Sequence, residues 1–211
     1  MRILAHRGYW LNTKEMNSSV AFERALELGF GIETDLRDAN GKLVISHDMP
    51  KGGEMMVGDF LDLCIRYPEA RPLALNVKAD GMQSALKVLL GQRNIAETEY
   101  FVFDMSFPDG MNYLAAGLTA YTRFSEYESP PLHLSEMSGV WIDAFHGDWY
   151  GEEALRALLR QGKEICIVSS ELHRRSHLPL WKNLKTWKLH ILPQVKLCTD
   201  LPVQAEEFFG D

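Results

Sequence analysis

Eight short apolar runs, separated by stretches of helical periodicity or by one long connection, limit what this chain can fold into. They lie at residues 2–5, 31–35, 73–78, 100–104, 119–123, 140–143, 164–168 and 195–198. Between and after them, apolar residues recur at helical spacing, as in Phe22, Ala25 and Leu26 or Phe60, Leu61 and Cys64. Strands joined through helices run parallel, and eight of them predict an α/β fold of the compact (β/α)8 TIM-barrel kind. At 211 residues the barrel would be lean, since about 250 is typical. An open doubly wound sheet is the alternative. It would want a glycine-rich loop after the first strand, and His6-Arg7-Gly8 stands there instead.

A hydrophobic content of 46% with 24% charged residues fits one globular domain, 1–211, with a sizeable core. The net charge, 22 − 29 = −7, argues against a nucleic-acid surface. Cys64, Cys166 and Cys198 sit in apolar runs without metal-type spacing, so they are expected as reduced core residues. The first residues are too quickly polar for a signal peptide. No apolar run reaches the roughly 18 residues of a membrane span. A cytoplasmic protein without stable membrane insertion is the expectation.

The polar residues are placed with more point. His6 and Arg7, Glu33 and Asp35, His47, Asn76 and Lys78, Asp104 and Asp143 all fall at or near strand C-termini. A barrel gathers such positions at one mouth, where active sites are built. Glu33 and Asp35, two apart on a strand, share a face. Side by side they repel, so they either splay into solvent or gather on a cation. Asn40-Gly41 marks a hairpin between this strand and residues 43–46. With a three-residue loop, His47 joins the face of Glu33 and Asp35. With a two-residue loop it stands opposite Thr34, because a one-residue slip reverses the face. Two acids for a cation, Arg and Lys for an anion, and histidines for protons suit an anionic oxygen ester such as a phosphodiester.

At these residues the chain resembles the glycerophosphodiester phosphodiesterase family and, more distantly, the catalytic barrel of phosphatidylinositol-specific phospholipase C. The matching pieces are His6-Arg7-Gly8, Asn17-Ser18 before the first helix, Glu33-x-Asp35, Asn40-Gly41, His47-Asp48 and Asn76-x-Lys78, with looser matches at Ser106-Phe107 and Thr199-Asp200. The resemblance implies a barrel that hydrolyses a small-molecule phosphodiester to an alcohol and a phosphomonoester. It implies a divalent cation, Mg2+ or Ca2+, at Glu33 and Asp35 with Asn76 as third ligand. It also implies His6 and His47 as acid and base, and phosphate contacts from Arg7 and Lys78.

Two departures accompany it. The family's third strand carries Glu-x-Lys where this chain has Asn76-Val77-Lys78, so one anionic ligand is replaced by a neutral one. The family also inserts a small subdomain after His-Asp, where this chain has only residues 49–56 before the next helix. A shallower, more open mouth is expected. Weak turnover or mere binding of a phosphodiester or sugar phosphate is one alternative; a lyase or phospholipase C-like route to a cyclic phosphate is another. His133, His146, His173, His177, His190 and the tryptophans at 141, 149, 181 and 187 are read as packing or surface residues.

Overall fold

A computed structural model describes residues 1–210. In chain order the main elements are β1 (Arg2–His6), α1 (Ser19–Glu27), β2 (Gly31–Ala39), β3 (Lys42–Ile45), α2 (Val57–Cys64), β4 (Leu73–Val77), α3 (Gln83–Gln92) and β5 (Tyr100–Phe103). Then come α4 (Phe107–Ala115), β6 (Tyr121–Phe124), β7 (Gly139–Ile142), α5 (Glu152–Arg160), β8 (Glu164–Val168), α6 (Leu178–Thr186), β9 (Val195–Thr199) and α7 (Pro202–Phe209). The hydrogen-bonded order is β5-β4-β2-β1-β9-β8-β7-β6, and β3 pairs with β2 off that path. Neighbours such as β2–β4, β4–β5, β7–β8 and β8–β9 run parallel. This is the compact (β/α)8 barrel that the strand–helix alternation predicts, with β3 as an added antiparallel arm.

The chain divides into two compact units, Ala5–Ala120 and Met1–Leu4 with Tyr121–Asp211. In the first, α1 begins where Ser18 Oγ accepts the Ala21 N–H, and Gly29, at φ 79°, turns the chain out again. Its buried face carries Ala21, Phe22, Ala25 and Leu26. Phe22 meets Phe60 of α2 edge-on, with ring centroids 4.8 Å apart. Both rings are fully buried, each contributing about 1.5–3 kcal/mol relative to exposure. β2 and β4 are in register as Glu33↔Ala74 and Asp35↔Asn76. Glu33, Asp35 and Asn76 therefore share one face.

In the second unit, Val140, Ile142, Ile165, Ile167 and Leu197 of the strands pack on Leu155, Leu158, Leu180, Trp181 and Leu184 of α5 and α6. Trp181 lies within this core and Trp149 and Trp187 at its edge, as expected of packing residues. The three cysteines are buried and form no disulfide. No helix among the described residues is long and apolar enough to cross a membrane.

The hairpin settles the open question of register. Asn40 and Gly41 both have positive φ, 52° and 76°, and Ala39 pairs directly with Lys42. The loop is the two-residue kind, whose twist suits two adjacent left-handed residues. The pairing ends at Leu36↔Ile45, followed by one bond from the Ser46 N–H to the Asp35 carbonyl at 3.0 Å. His47 lies beyond that bond, so the three-residue register that would align it with Glu33 and Asp35 does not form.

Candidate active site

β1 delivers His6 and stops because Arg7 and Gly8 turn sharply, with φ of 56° and 83°. Gly8 has no alternative: a Cβ there would stand 2.8 Å from the Ala21 carbonyl carbon. Asn17 is also left-handed, at φ 58°, and its N–H donates to the Arg7 carbonyl at 3.0 Å. Such a backbone costs on the order of 1–3 kcal/mol at each residue other than glycine. Two of them, locked to each other, place the Arg7 and Asn17 side chains over the end of β2.

Glu33 and Asp35 are the buried centre, each 1% exposed. Glu33 Oε2 accepts the Arg7 N–H at 3.3 Å and lies 3.9 Å from His6 Nε2, while Oε1 accepts from Asn76 Nδ2 at 3.3 Å. Asp35 Oδ2 accepts from Asn17 Nδ2 at 2.8 Å and lies 3.1 Å from Arg7 Nε. Lys78 Nζ is 3.6 Å from Asp35 Oδ1 and donates to Asp104 Oδ2 at 3.1 Å. Asp104 follows β5 with a left-handed φ of 70°. Burial foremost, then the Asp35 charge, pushes the Glu33 carboxyl up to about 7, against the pull of His6, Arg7 and Lys78.

Six of the seven residues to which the resemblance assigns a role, His6, Arg7, Glu33, Asp35, Asn76 and Lys78, thus form one connected cluster. His47 is not part of it. Its ring is half exposed and its Nδ1 lies 2.8 Å from Asp48 Oδ1, while its carbonyl accepts from Arg37 Nε at 3.1 Å. It is joined to the cluster through a cavity of about 630 Å3, whose wall includes Arg7, Asn17, Ser18 and His47.

Two members had no role assigned by the resemblance. Asn17 belongs to one of the matching motifs, yet an Asn before a helix ordinarily reads as a turn or cap residue. It bridges the site instead, accepting the Thr34 hydroxyl at 2.8 Å while donating to Asp35. Asp104 stood at a strand end like the others, and only its contact with Lys78 marks it out.

Among the described residues no three His, Cys, Asp or Glu side chains gather as a metal site. A cation at Glu33 and Asp35 would therefore rely on Asn76 for its third protein oxygen. Asp35 Oδ1 and Asn76 Oδ1 are both buried without a hydrogen-bond partner. Buried acceptors are nearly always satisfied, so two open oxygens beside a carboxyl pushed up by burial fit a small hard cation.

The second unit carries pairs of its own. His173 Nε2 is 2.5 Å from Asp143 Oδ1, and Tyr127 Oη is 2.5 Å from His146 Nε2. His146 and His173, read as packing or surface residues, therefore have specific polar partners. Glu171 accepts from Ser169 Oγ at 2.5 Å and from the Asp200 N–H at 3.1 Å, which ties the chain together after β8 and β9.

No protein-family model matches the chain, and no curated protein matches it by sequence. Solved structures do match. A protein of Galdieria sulphuraria assigned as a glycerophosphodiester phosphodiesterase superposes with TM-score 0.76 at 17% identity, over 100% of this chain and 98% of that one. A phosphodiesterase of Oleispira antarctica, solved with its product sn-glycerol-3-phosphate, gives 0.73 at 14% identity over 100% and 97%. A Ca2+-dependent phosphatidylinositol-specific phospholipase C of Streptomyces antibioticus stands further off, at 0.57 and 10% over 97% and 95%. At these identities the likeness is one of fold. This chain has the fold of the glycerophosphodiester phosphodiesterases, the architecture that its sequence resemblance implies.

Proposed function

We propose that this protein is a cation-assisted phosphodiesterase acting on glycerophosphodiester-like substrates, releasing an alcohol and a phosphomonoester. One observation carries the reading: two buried carboxylates with open oxygens beside them lie within 4 Å of Arg7, Lys78 and His6. Two of the structures with this fold support it, one holding a glycerol phosphate product and one a Ca2+-dependent phospholipase C.

Glu33, Asp35 and Asn76 would hold Mg2+ or Ca2+, which when bound offsets the carboxylate charge and polarises a phosphoryl oxygen. Arg7 and Lys78 neutralise charge growing on the phosphoryl oxygens as water attacks phosphorus. Asp104 keeps the Lys78 ammonium in place, and Asn17 fixes the Asp35 carboxylate. His6 and His47 move the protons: one takes a proton from the attacking water and the other gives one to the departing alcohol oxygen.

A second reading is favoured by Asn76 and by the two cations already beside Asp35. On that reading the site binds phosphodiesters or sugar phosphates through Arg7 and Lys78 but turns them over poorly. Hydrolysis of bis(p-nitrophenyl) phosphate and of glycerophosphocholine, with Mg2+ or Ca2+ and then with EDTA, separates the two. Turnover abolished by EDTA supports the enzyme; binding without turnover supports the second reading. Phosphorus NMR of the product distinguishes an open phosphomonoester from a cyclic phosphate.

A further inference from the structure

Lys78 stands between two carboxylates. Its Nζ donates to Asp104 Oδ2 at 3.1 Å and lies 3.6 Å from Asp35 Oδ1, too far for a hydrogen bond. The two Asp35 oxygens are occupied differently. Oδ2 accepts from Asn17 and has Arg7 Nε at 3.1 Å, whereas Oδ1 is buried without a hydrogen-bond partner and has the Lys78 ammonium as its neighbouring cation.

Of the two cations beside Asp35, Lys78 is the one that can move. Arg7 sits in a left-handed turn whose carbonyl accepts the Asn17 N–H. A lysine carries its charge on a flexible four-carbon stem, and this side chain is 18% exposed. Asp104 is held more firmly. It follows β5 in the left-handed region, and two residues on Ser106 donates through Oγ to Asp80 Oδ2 at 2.6 Å and through its N–H to Oδ1 at 3.4 Å. Asp109 of α4 accepts the Gly81 N–H at 3.2 Å. The segments after β4 and β5 are thus tied together, Lys78 heading one and Asp104 the other.

A hard cation ligated by Asp35 Oδ1 would lie roughly 2.0–2.6 Å from that oxygen. With Nζ 3.6 Å from the same atom, the two positive charges would stand within about 6 Å of each other beside a residue only 1% exposed. That is inside the roughly 8–10 Å over which salt screens even exposed charges. Asn76, whose Oδ1 is the other open buried oxygen, brings no charge to offset the repulsion. One oxygen cannot hold both cations at full strength.

Resting on the cation site of the proposed function, we infer that Lys78 is a built-in counter-ion competing with the divalent cation for Asp35, and that Asp104 is the positioning residue that draws its ammonium aside when the cation binds. In the loaded protein Lys78 pairs with Asp104 and no longer with Asp35. Cation affinity is therefore set in part by two residues that need not touch the cation.

The test is calorimetric titration of Mg2+ and Ca2+ into the wild type, Lys78→Gln, Asp104→Asn and the double variant. Lys78→Gln should bind about tenfold tighter or more, because a competing charge is gone. Asp104→Asn should bind about tenfold weaker, yet in the Lys78→Gln background the same change should shift affinity by less than about threefold. An acid acting on the cation directly through space would weaken binding equally in both backgrounds, and that result overturns the role of Asp104. Equal affinities for wild type and Lys78→Gln overturn the inference and leave the cation site standing. No binding by any of the four proteins removes the cation site and the inference with it. Binding seen only once Lys78 is replaced sustains the inference and counts against cation-assisted chemistry in the native protein. Melting curves in EDTA check that each variant folds. A crystal structure of the wild type with Ca2+ decides without any variant: Nζ should stay on Asp104 and lie beyond about 4 Å from Asp35 Oδ1, and an unchanged position overturns the inference.

Discussion

Asn17 Nδ2 donates to Asp35 Oδ2 at 2.8 Å, joining the loop before α1 to a buried carboxylate on β2. The same amide accepts the Thr34 hydroxyl, so one side chain satisfies groups on two successive residues of the strand. Asn17→Ala would leave the buried Thr34 hydroxyl and one Asp35 oxygen without this partner, at a cost of about 1–3 kcal/mol. A misaimed Asp35 should also lower kcat, by about tenfold or more. Denaturant unfolding and steady-state kinetics check both; unchanged kcat would mean that Asn17 serves stability alone.

The two histidines are expected to act in chemistry and not in packing. His6→Ala and His47→Ala should each reduce turnover by roughly 10²–10⁴. His47 lies at the cavity wall and is half exposed, so its removal should leave thermal stability nearly unchanged. A His47→Ala protein with near-normal turnover would remove this residue from the mechanism and leave His6 to act with water.

Glu33 makes stability depend on pH in a direction opposite to most native carboxylates. Its folded value, about 7, lies above its ordinary 4.5, because the site disfavours the charged form. The stability that it contributes is therefore complete below about 4.5 and lost as pH rises through 7. In EDTA, the wild-type melting temperature should fall across that window relative to Glu33→Gln. Added Mg2+ takes the place of the proton and should narrow the difference at the alkaline end. Parallel pH profiles for the two proteins would mean that Glu33 is not raised.

Asn76 contributes a carbonyl oxygen without charge, next to a Glu33 that it already hydrogen-bonds at 3.3 Å. Cation affinity follows ligand charge, so binding is expected in the high micromolar to millimolar range, on the order of the weak calcium sites. Asn76→Glu should tighten Mg2+ or Ca2+ binding about tenfold, equivalent to roughly 1.4 kcal/mol. Without the cation the variant should be less stable than the wild type, since three carboxylates then face one another. Calorimetric titration and melting in EDTA read the two effects. Equal affinities would show that residue 76 does not face the cation.

The strand–helix rhythm determined a parallel α/β fold, because parallel strands joined by amphipathic helices bury both their faces, and His6-Arg7-Gly8 in place of a glycine-rich loop favoured the barrel over an open sheet. The spacing Glu33-x-Asp35 settled that these two carboxyls share a face, since side chains alternate along a strand whatever surrounds them. The placement of Asn76 beside Asp35 needed the β2–β4 register, which no local pattern encodes. The fate of His47 hung on one residue of loop length, and Asn40-Gly41 is compatible with either turn until the pairing of Ala39 with Lys42 is known. Asn17 lay in a matching motif and Asp104 at a strand end, but their contacts with Asp35 and Lys78 show only in three dimensions, because a side chain's reach across 18 or 26 residues depends on left-handed backbone at single positions.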